Sequence, residues 1–349
     1  MDYLKGKGAQ INVANKFSEQ RIEAIDYDGL DEEFLLDKPA IELFKETPKR
    51  IISTNSSPDI GMSASINPYQ GCEHGCVYCY ARNSHEYWGF SAGLDFETKL
   101  IVKPDAPKLL EAEFLKSSYK PRTIMLSGNT DCYQPIERKF ELTRKLLTVF
   151  NKYKNPVGII TKNALVTRDV DILKELADSN LVHVIFSITS LDEKLRQKLE
   201  PRTASATKKL RAMEKLAKEG IPVGVMNAPL IPGLNHHEIP MILKSSADAG
   251  ASFASYTVVR LNGQVATIFK DWLSKNFPDR ADKVWSQIKN LHGGNVNDTE
   301  YDRRIKGEGK ISEIIRKLFE VSKRKYFGDH VFEPLSTAHF RKGGSYSLF

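Results

Sequence analysis

Between residues 63 and 262 the chain alternates short apolar or β-branched runs with longer stretches whose apolar positions recur every three or four residues. The short runs, at residues 65–69, 123–127, 157–161, 183–189, 222–231 and 254–261, predict six strands. Of the stretches between them, residues 137–153 place Phe140, Leu146, Leu147, Phe150 and Tyr153 on one side after a turn at Pro135. Residues 205–219 open on a Ser/Thr-rich cap, put Leu210, Met213, Leu216 and Ala217 on one stripe and stop at Gly220. Strands separated by crossover helices build a parallel sheet. Periodicity leaves two α/β architectures open, a doubly wound sheet and a curved partial barrel.

The alternation ends after Leu261, and residues 267–277, 281–291 and 310–325 predict helices broken by Pro278 and by Gly293-Gly294. Residues 1–50 show no sustained apolar period and hold an acidic stretch at 26–37, so they are expected to form an extended lead-in. The expected organisation is an N-terminal extension over 1–60, a core over 61–262 and a helical segment with a basic tail over 263–349.

Composition narrows the class. The 349 residues suffice for one large or two ordinary domains, and 41% hydrophobic with 27% charged residues excludes a disordered or collagen-like chain. The net charge is +7, and residues 301–349 contribute eleven Lys/Arg against six Asp/Glu, a basic excess that suits phosphate-bearing partners such as nucleic acid. The first ten residues lack the apolar region of a signal peptide, and no apolar run approaches the roughly 20 residues that span a bilayer. A soluble, cytoplasmic protein with no membrane partner is expected.

Cysteine placement points to chemistry. Three of the four cysteines, Cys72, Cys76 and Cys79, are crowded directly after the first predicted strand, which excludes a disulfide framework. The C-x3-C-x2-C spacing on a loop with Gly71 and Gly75 lets three thiolates converge on one [4Fe-4S] cluster and leaves one iron open to a ligand. A zinc site completed by His74 or Cys132, or three reduced structural cysteines, are the alternatives.

This spacing, in the loop after the first strand of a βα array, resembles the signature of the radical S-adenosylmethionine (radical SAM) superfamily. The resemblance implies a partial (β/α)6 TIM-like barrel, a [4Fe-4S] cluster on Cys72, Cys76 and Cys79, and S-adenosylmethionine (SAM) chelated to the open iron. An electron from the reduced cluster then splits SAM into methionine and a 5'-deoxyadenosyl radical, and Tyr78, before the third cysteine, packs on the adenine. A low-potential electron donor of flavodoxin or ferredoxin type is implied as a partner.

Further stretches resemble the spore photoproduct lyase-like branch, often labelled DNA repair photolyases. They are residues 56–60 (SSPDI), 65–69 (SINPY), 94–98 (LDFET), 130–137 (TDCYQPIE), Thr161-Lys162, Glu200-Pro-Arg202 and 229–235 (PLIPGLN). This likeness implies that Thr130 and Asp131 meet the methionine amine and Lys162 its carboxylate. Ser187 is implied in ribose or methionine contact, Arg202 in the loop that follows, and Asn227 with the 229–235 loop near the adenosine. Nucleic-acid repair or modification is the implied task; radical modification of a protein or small molecule, or a non-catalytic Fe-S binding or sensing role, are the other readings.

The residues also carry plainer readings. Asp131 suits a helix cap, Lys162 a solvated loop, and Arg202 a surface pair with Glu200 or Asp192. His236, His237 and Glu238 read as loop or capping residues rather than metal ligands. The lyase's hydrogen-donating cysteine corresponds here to Gly128 or its neighbour, leaving Cys132 either as a thiol in a different relay with Tyr133 or as a small buried residue. The tail 345–349 (SYSLF) loosely resembles a peptide that docks on the replication sliding clamp.

Overall fold

The computed structural model describes residues 4–15, 41–328 and 333–344. Its strands are β1 (Glu42–Lys45), β2 (Ile52–Thr54), β3 (Ala64–Ile66), β4 (Tyr69–Gln70), β5 (Lys99–Val102), β6 (Ile124–Leu126), β7 (Val157–Thr161), β8 (Val182–Ser187), β9 (Val223–Leu230) and β10 (Phe253–Val258). The helices are α1 (Asp95–Thr98), α2 (Ala106–Leu115), α3 (Glu137–Phe140), α4 (Leu142–Tyr153), α5 (Val170–Ala177), α6 (Glu193–Leu199), α7 (Ala206–Lys218), α8 (Ile239–Asp248), α9 (Val265–Asn276), α10 (Ala281–Leu291), α11 (Arg303–Lys306) and α12 (Gly309–Phe327).

The six expected strands are β3 and β6 to β10, and they lie side by side in chain order, each parallel to the next. One register line runs from Leu126 to Ile159 to Val184 to Val223, all buried. Among the described residues no pairing closes β10 onto β3, so the barrel is partial; β2 adds an antiparallel strand beside β3. Strands covered on both faces read as near-continuous apolar runs, which is why β7 and β8 stood out in the sequence.

The expected helix over 137–153 is broken at Glu141, whose φ is +51°. The cause is upstream. The Glu137 carboxylate accepts the N–H of Thr143 at 3.0 Å, so a side chain replaces the carbonyl that a continuous helix would offer. The strand expected to reach Tyr69 stops at Ile66, before Asn67-Pro68, because the residue before a proline is restricted and the proline has no N–H to donate.

The described part of residues 1–60 contains β1 and β2. Strand β1 pairs with β5 in a second sheet of order β1-β5-β4; Gly8 and Ala9 bond to Glu97 of α1, and Gly8 lies against Gly75 of the cysteine loop. The acidic stretch at 26–37 and the tail 345–349 lie outside the described residues. At the other end, Phe319 of α12 meets Tyr256 of the edge strand β10 with ring centroids 4.5 Å apart. No helix among the described residues is long and apolar enough to cross a membrane.

Candidate active site at the cysteine loop

The loop carrying Cys72, Cys76 and Cys79 runs from β4 to a 3-10 helix at Tyr80–Trp88. Elements far apart in sequence clamp it. Cys72 donates its N–H to the Phe96 carbonyl at 2.8 Å, and Val77 donates to the Leu199 carbonyl at 3.1 Å. Gln134 accepts from the Glu73 N–H and returns its amide to the Gly71 carbonyl, both at 3.0 Å. From inside the turn, Arg82 Nε donates to the Cys76 carbonyl at 2.9 Å. Gly75 has φ +67°, and a Cβ there would lie 2.8 Å from Glu97 Oε2, so both its conformation and its surroundings call for glycine.

Burial pushes the thiols of Cys72, Cys76 and Cys79 above the ordinary cysteine range. Loading a metal group here must therefore expel their protons. The donor set fits a cluster that takes three protein thiolates. Both candidate fourth ligands for a zinc ion are committed elsewhere. His74 places Nδ1 3.4 Å from Asp131 Oδ2 and Nε2 3.4 Å from the Asn163 amide. Cys132 is 0% exposed in the main core, and burial raises its thiol too.

Facing the loop, the ends of β7, β8 and β9 meet around Lys162. Its Nζ donates to Ser187 Oγ at 2.6 Å, lies 2.9 Å from Glu200 Oε1 and sits 5.6 Å from the centre of the Tyr78 ring. Burial alone would lower the Lys162 pKa, but its acidic neighbours, Glu200 foremost, together outweigh burial and raise it. Glu200 also accepts from the Tyr78 and Thr189 hydroxyls. Burial pushes the Glu200 carboxyl up, yet Lys162 and Lys209 together hold it well below the usual range. Lys209, from α7, stands 3.5 Å from Glu200 Oε2.

The structure thus brings Tyr78, Lys162 and Ser187 together, with Asp131 beside them. Asp131 accepts from Thr161 Oγ1 at 2.8 Å, from the Lys162 N–H at 2.7 Å and from the Tyr133 N–H at 2.8 Å. Burial raises its carboxyl, but His74 and these donors outweigh that and leave it below the usual range. It does turn the chain at Tyr133, and it also ties the end of β6 to the end of β7. Lys162 is no solvated loop lysine. Thr130 gives its hydroxyl to the Tyr69 carbonyl at 2.5 Å.

Arg202 pairs with neither Glu200 nor Asp192; its guanidinium lies 2.9 Å from Glu73 Oε2 on the cysteine loop, since Glu200 is turned inward to the two lysines. Asn227 is buried and donates to the Ile188 carbonyl at 2.9 Å, while its Oδ1 has no hydrogen-bond partner. Cys132 lies in the core, and Tyr133 gives its hydroxyl to Asp169 at 3.0 Å. Glu238 caps backbone in a 3-10 turn, accepting from the Leu191 N–H at 2.7 Å.

Lys209 escaped the sequence reading although it left a signal, a charge on the apolar stripe of α7 between Ala206 and Met213. Glu97 and Gln134 lie in the stretches 94–98 and 130–137 that carry the resemblance, but their roles come from distant contacts; the 4–15 segment left no signal.

The radical SAM superfamily model matches residues 66–245, just over half of the chain. An uncharacterized protein of Mycobacterium bovis is 31% identical over 217 residues, which cover 62% of this chain and 64% of that protein, less than two thirds of its length. The radical SAM Nalpha-GlyT isomerase of Pseudomonas phage M6 is 22% identical over 246 residues, 70% of this chain and 49% of the phage protein. Among solved structures, a mutant spore photoproduct lyase with dinucleoside spore photoproduct shares the fold, with a TM-score of 0.59 at 15% identity over 82% of this chain and 80% of the lyase. With a match that runs from β3 through the cysteine loop and the Lys162 pocket into α8, the chain belongs to the radical SAM superfamily, enzymes whose cofactors are a [4Fe-4S] cluster and S-adenosylmethionine.

Proposed function

We propose that Cys72, Cys76 and Cys79 hold the [4Fe-4S] cluster and that SAM binds between them and Lys162, to be cleaved reductively in the repair or modification of a nucleic acid. The observation that carries this reading is the link between Lys162 and Tyr78. The Lys162 ammonium, which we read as the partner of the ligand carboxylate, lies 5.6 Å from the centre of the Tyr78 ring, between the second and third cysteines. When bound, the reduced cluster supplies the electron that breaks the sulfur–carbon bond of SAM, giving methionine and the 5'-deoxyadenosyl radical.

The chain's own residues bind and orient. Lys162 pairs with the methionine carboxylate, and Ser187 and Glu200 hold its ammonium in place. Tyr78, anchored by its hydroxyl, presents its ring to the adenine. Asn227 offers its unpaired Oδ1 to a hydroxyl or amino group of the adenosine. Asp131 and Thr130 set the strand ends, and Arg202 steadies the cysteine loop through Glu73. Cys132, buried in the core, is given no step. A flavodoxin- or ferredoxin-type donor supplies the electron.

The nucleic-acid assignment is supported by the net charge of +7 and by the basic run Lys323-Arg324-Lys325 on α12. The test is anaerobic reconstitution followed by dithionite. About 4 Fe per chain and 5'-deoxyadenosine are expected, with cleavage stimulated by added DNA or RNA. Stimulation by a protein or small-molecule fraction instead would move the substrate class. An intact cluster without SAM cleavage would make the chain a binding or sensing protein.

A further inference from the structure

Helix α7 sends Ala206, Ala212, Met213 and Leu216 into the core, and Lys209 goes with them at 1% exposure. A buried ammonium costs several kcal/mol unless it is paired, so a lysine on this stripe needs a reason to be there. Its Nζ donates to the Ser187 carbonyl at 3.0 Å and approaches Glu200 Oε2 at 3.5 Å. The other oxygen of the same carboxylate is the one that meets Lys162, at 2.9 Å. Asp131 touches Lys162 only through the backbone N–H.

Two buried cations therefore share one buried carboxylate, and one positive charge is left over. The two lysines are not equivalent. The Lys162 side chain is 16% exposed and that of Lys209 only 1%, so an incoming anion can reach Lys162 alone. If Lys162 were the only partner of Glu200, a ligand carboxylate would have to compete for it and would leave Glu200 buried without a cation.

We propose that Lys209 is a positioning residue for the cofactor site, the standing counter-ion of Glu200 that frees Lys162 to pair with the carboxylate of the ligand. This rests on the reading of Lys162 as the site of the methionine carboxylate. Tyr78 and Thr189 bond to the other oxygen of Glu200 through their own hydroxyls, so the adenine side of the site does not depend on the Lys209 charge.

The experiment uses the full-length, anaerobically reconstituted protein and its Lys209→Met and Lys209→Gln variants. Glutamine keeps a donor for the Ser187 carbonyl but removes the charge, and it carries the test if the methionine variant does not fold. SAM, methionine and 5'-deoxyadenosine affinities are read by equilibrium dialysis on the oxidised, cluster-loaded protein, which does not cleave SAM, with iron content as a control. Both ligands that bear a carboxylate should bind roughly 10- to 100-fold more weakly, as for other groups that orient a binding residue, while 5'-deoxyadenosine and iron content change little. Unchanged SAM binding overturns the proposal. So does an equal loss for 5'-deoxyadenosine, which would make Lys209 a structural residue only. Failure of the wild-type protein to bind SAM would instead overturn the reading of Lys162.

Discussion

Gly8 and Gly75 touch backbone to backbone: a Cβ built on Gly8 would lie 1.6 Å from the Gly75 carbonyl oxygen. The N-terminal segment is thus a strap drawn over the cysteine loop. It is pinned by the Gly8 and Ala9 N–H groups on the Glu97 carboxylate, at 3.1 and 2.7 Å, and by Val13 exchanging hydrogen bonds with Ser91 at 2.8 Å. A side chain at position 8 cannot be accommodated without lifting the strap. Gly8→Val should cost roughly 1–3 kcal/mol, in the range of other overpacked sites. The check is limited proteolysis, in which the variant is cut within residues 4–15 under conditions that leave the wild type intact. Equal protection of both proteins would contradict the close contact.

The four cysteines should separate into two classes. Replacing Cys76 by Ala removes a proposed cluster ligand and should abolish iron incorporation while leaving the fold. Cys132 is core, with its carbonyl bonded to Thr143 at 2.6 Å. Cys132→Ala should retain full iron content and SAM cleavage and lose only about 1 kcal/mol of stability to the small cavity. Iron analysis and thermal melts on both variants decide this. Loss of iron from Cys132→Ala would restore it as a ligand.

The sequence made the barrel legible because its evidence is local. The covered strands are short apolar runs, α7 has a cap and a glycine stop, and the cysteine spacing lies within one loop. Which candidates come together was legible in the cysteine loop, with Tyr78, and at strand ends, with Lys162 and Ser187. What decides Asp131 is which donors surround it. The sequence shows an aspartate before an amphipathic stretch, and only the fold brings Thr161 and Lys162 to its carboxylate. The strap is beyond local reading for the same reason: Gly8 and Glu97 are 89 positions apart.

Arg82 and Glu97 form an ion pair at 2.5 Å in which both side chains are 0% exposed. Arg82 also donates to the carbonyls of Cys76 and Gly93, both at 2.9 Å, so it ties the cysteine turn to the loop before α1. Removing one partner of such a pair leaves a buried charge alone and typically costs about 3–5 kcal/mol. Glu97→Gln should show that loss in denaturant titrations, together with the strap cleavage described for Gly8→Val. Arg82→Met should reduce iron incorporation as well, because the Cys76 carbonyl loses its donor. A loss under about 1 kcal/mol for either variant would place the pair among solvent-screened ones.

His85 supplies a pH dependence. Its ring is buried between Phe90 and Phe96, with centroid distances of 5.2 and 5.5 Å. Burial lowers its pKa to about 4 from 6.5, with Asp95 working weakly in the opposite direction. The folded protein therefore binds this proton less readily than the unfolded chain, so below pH 6.5 the unfolded state gains protons first and stability falls as pH drops toward 4. The full effect is on the order of 3 kcal/mol, at 1.36 kcal/mol per pKa unit. His85→Phe keeps an aromatic ring in the pocket and removes the titration. Denaturant midpoints measured at pH 7 and near pH 4 should differ less in the variant than in the wild type. An identical difference would mean that the acid sensitivity lies elsewhere and that the His85 ring finds solvent before it protonates.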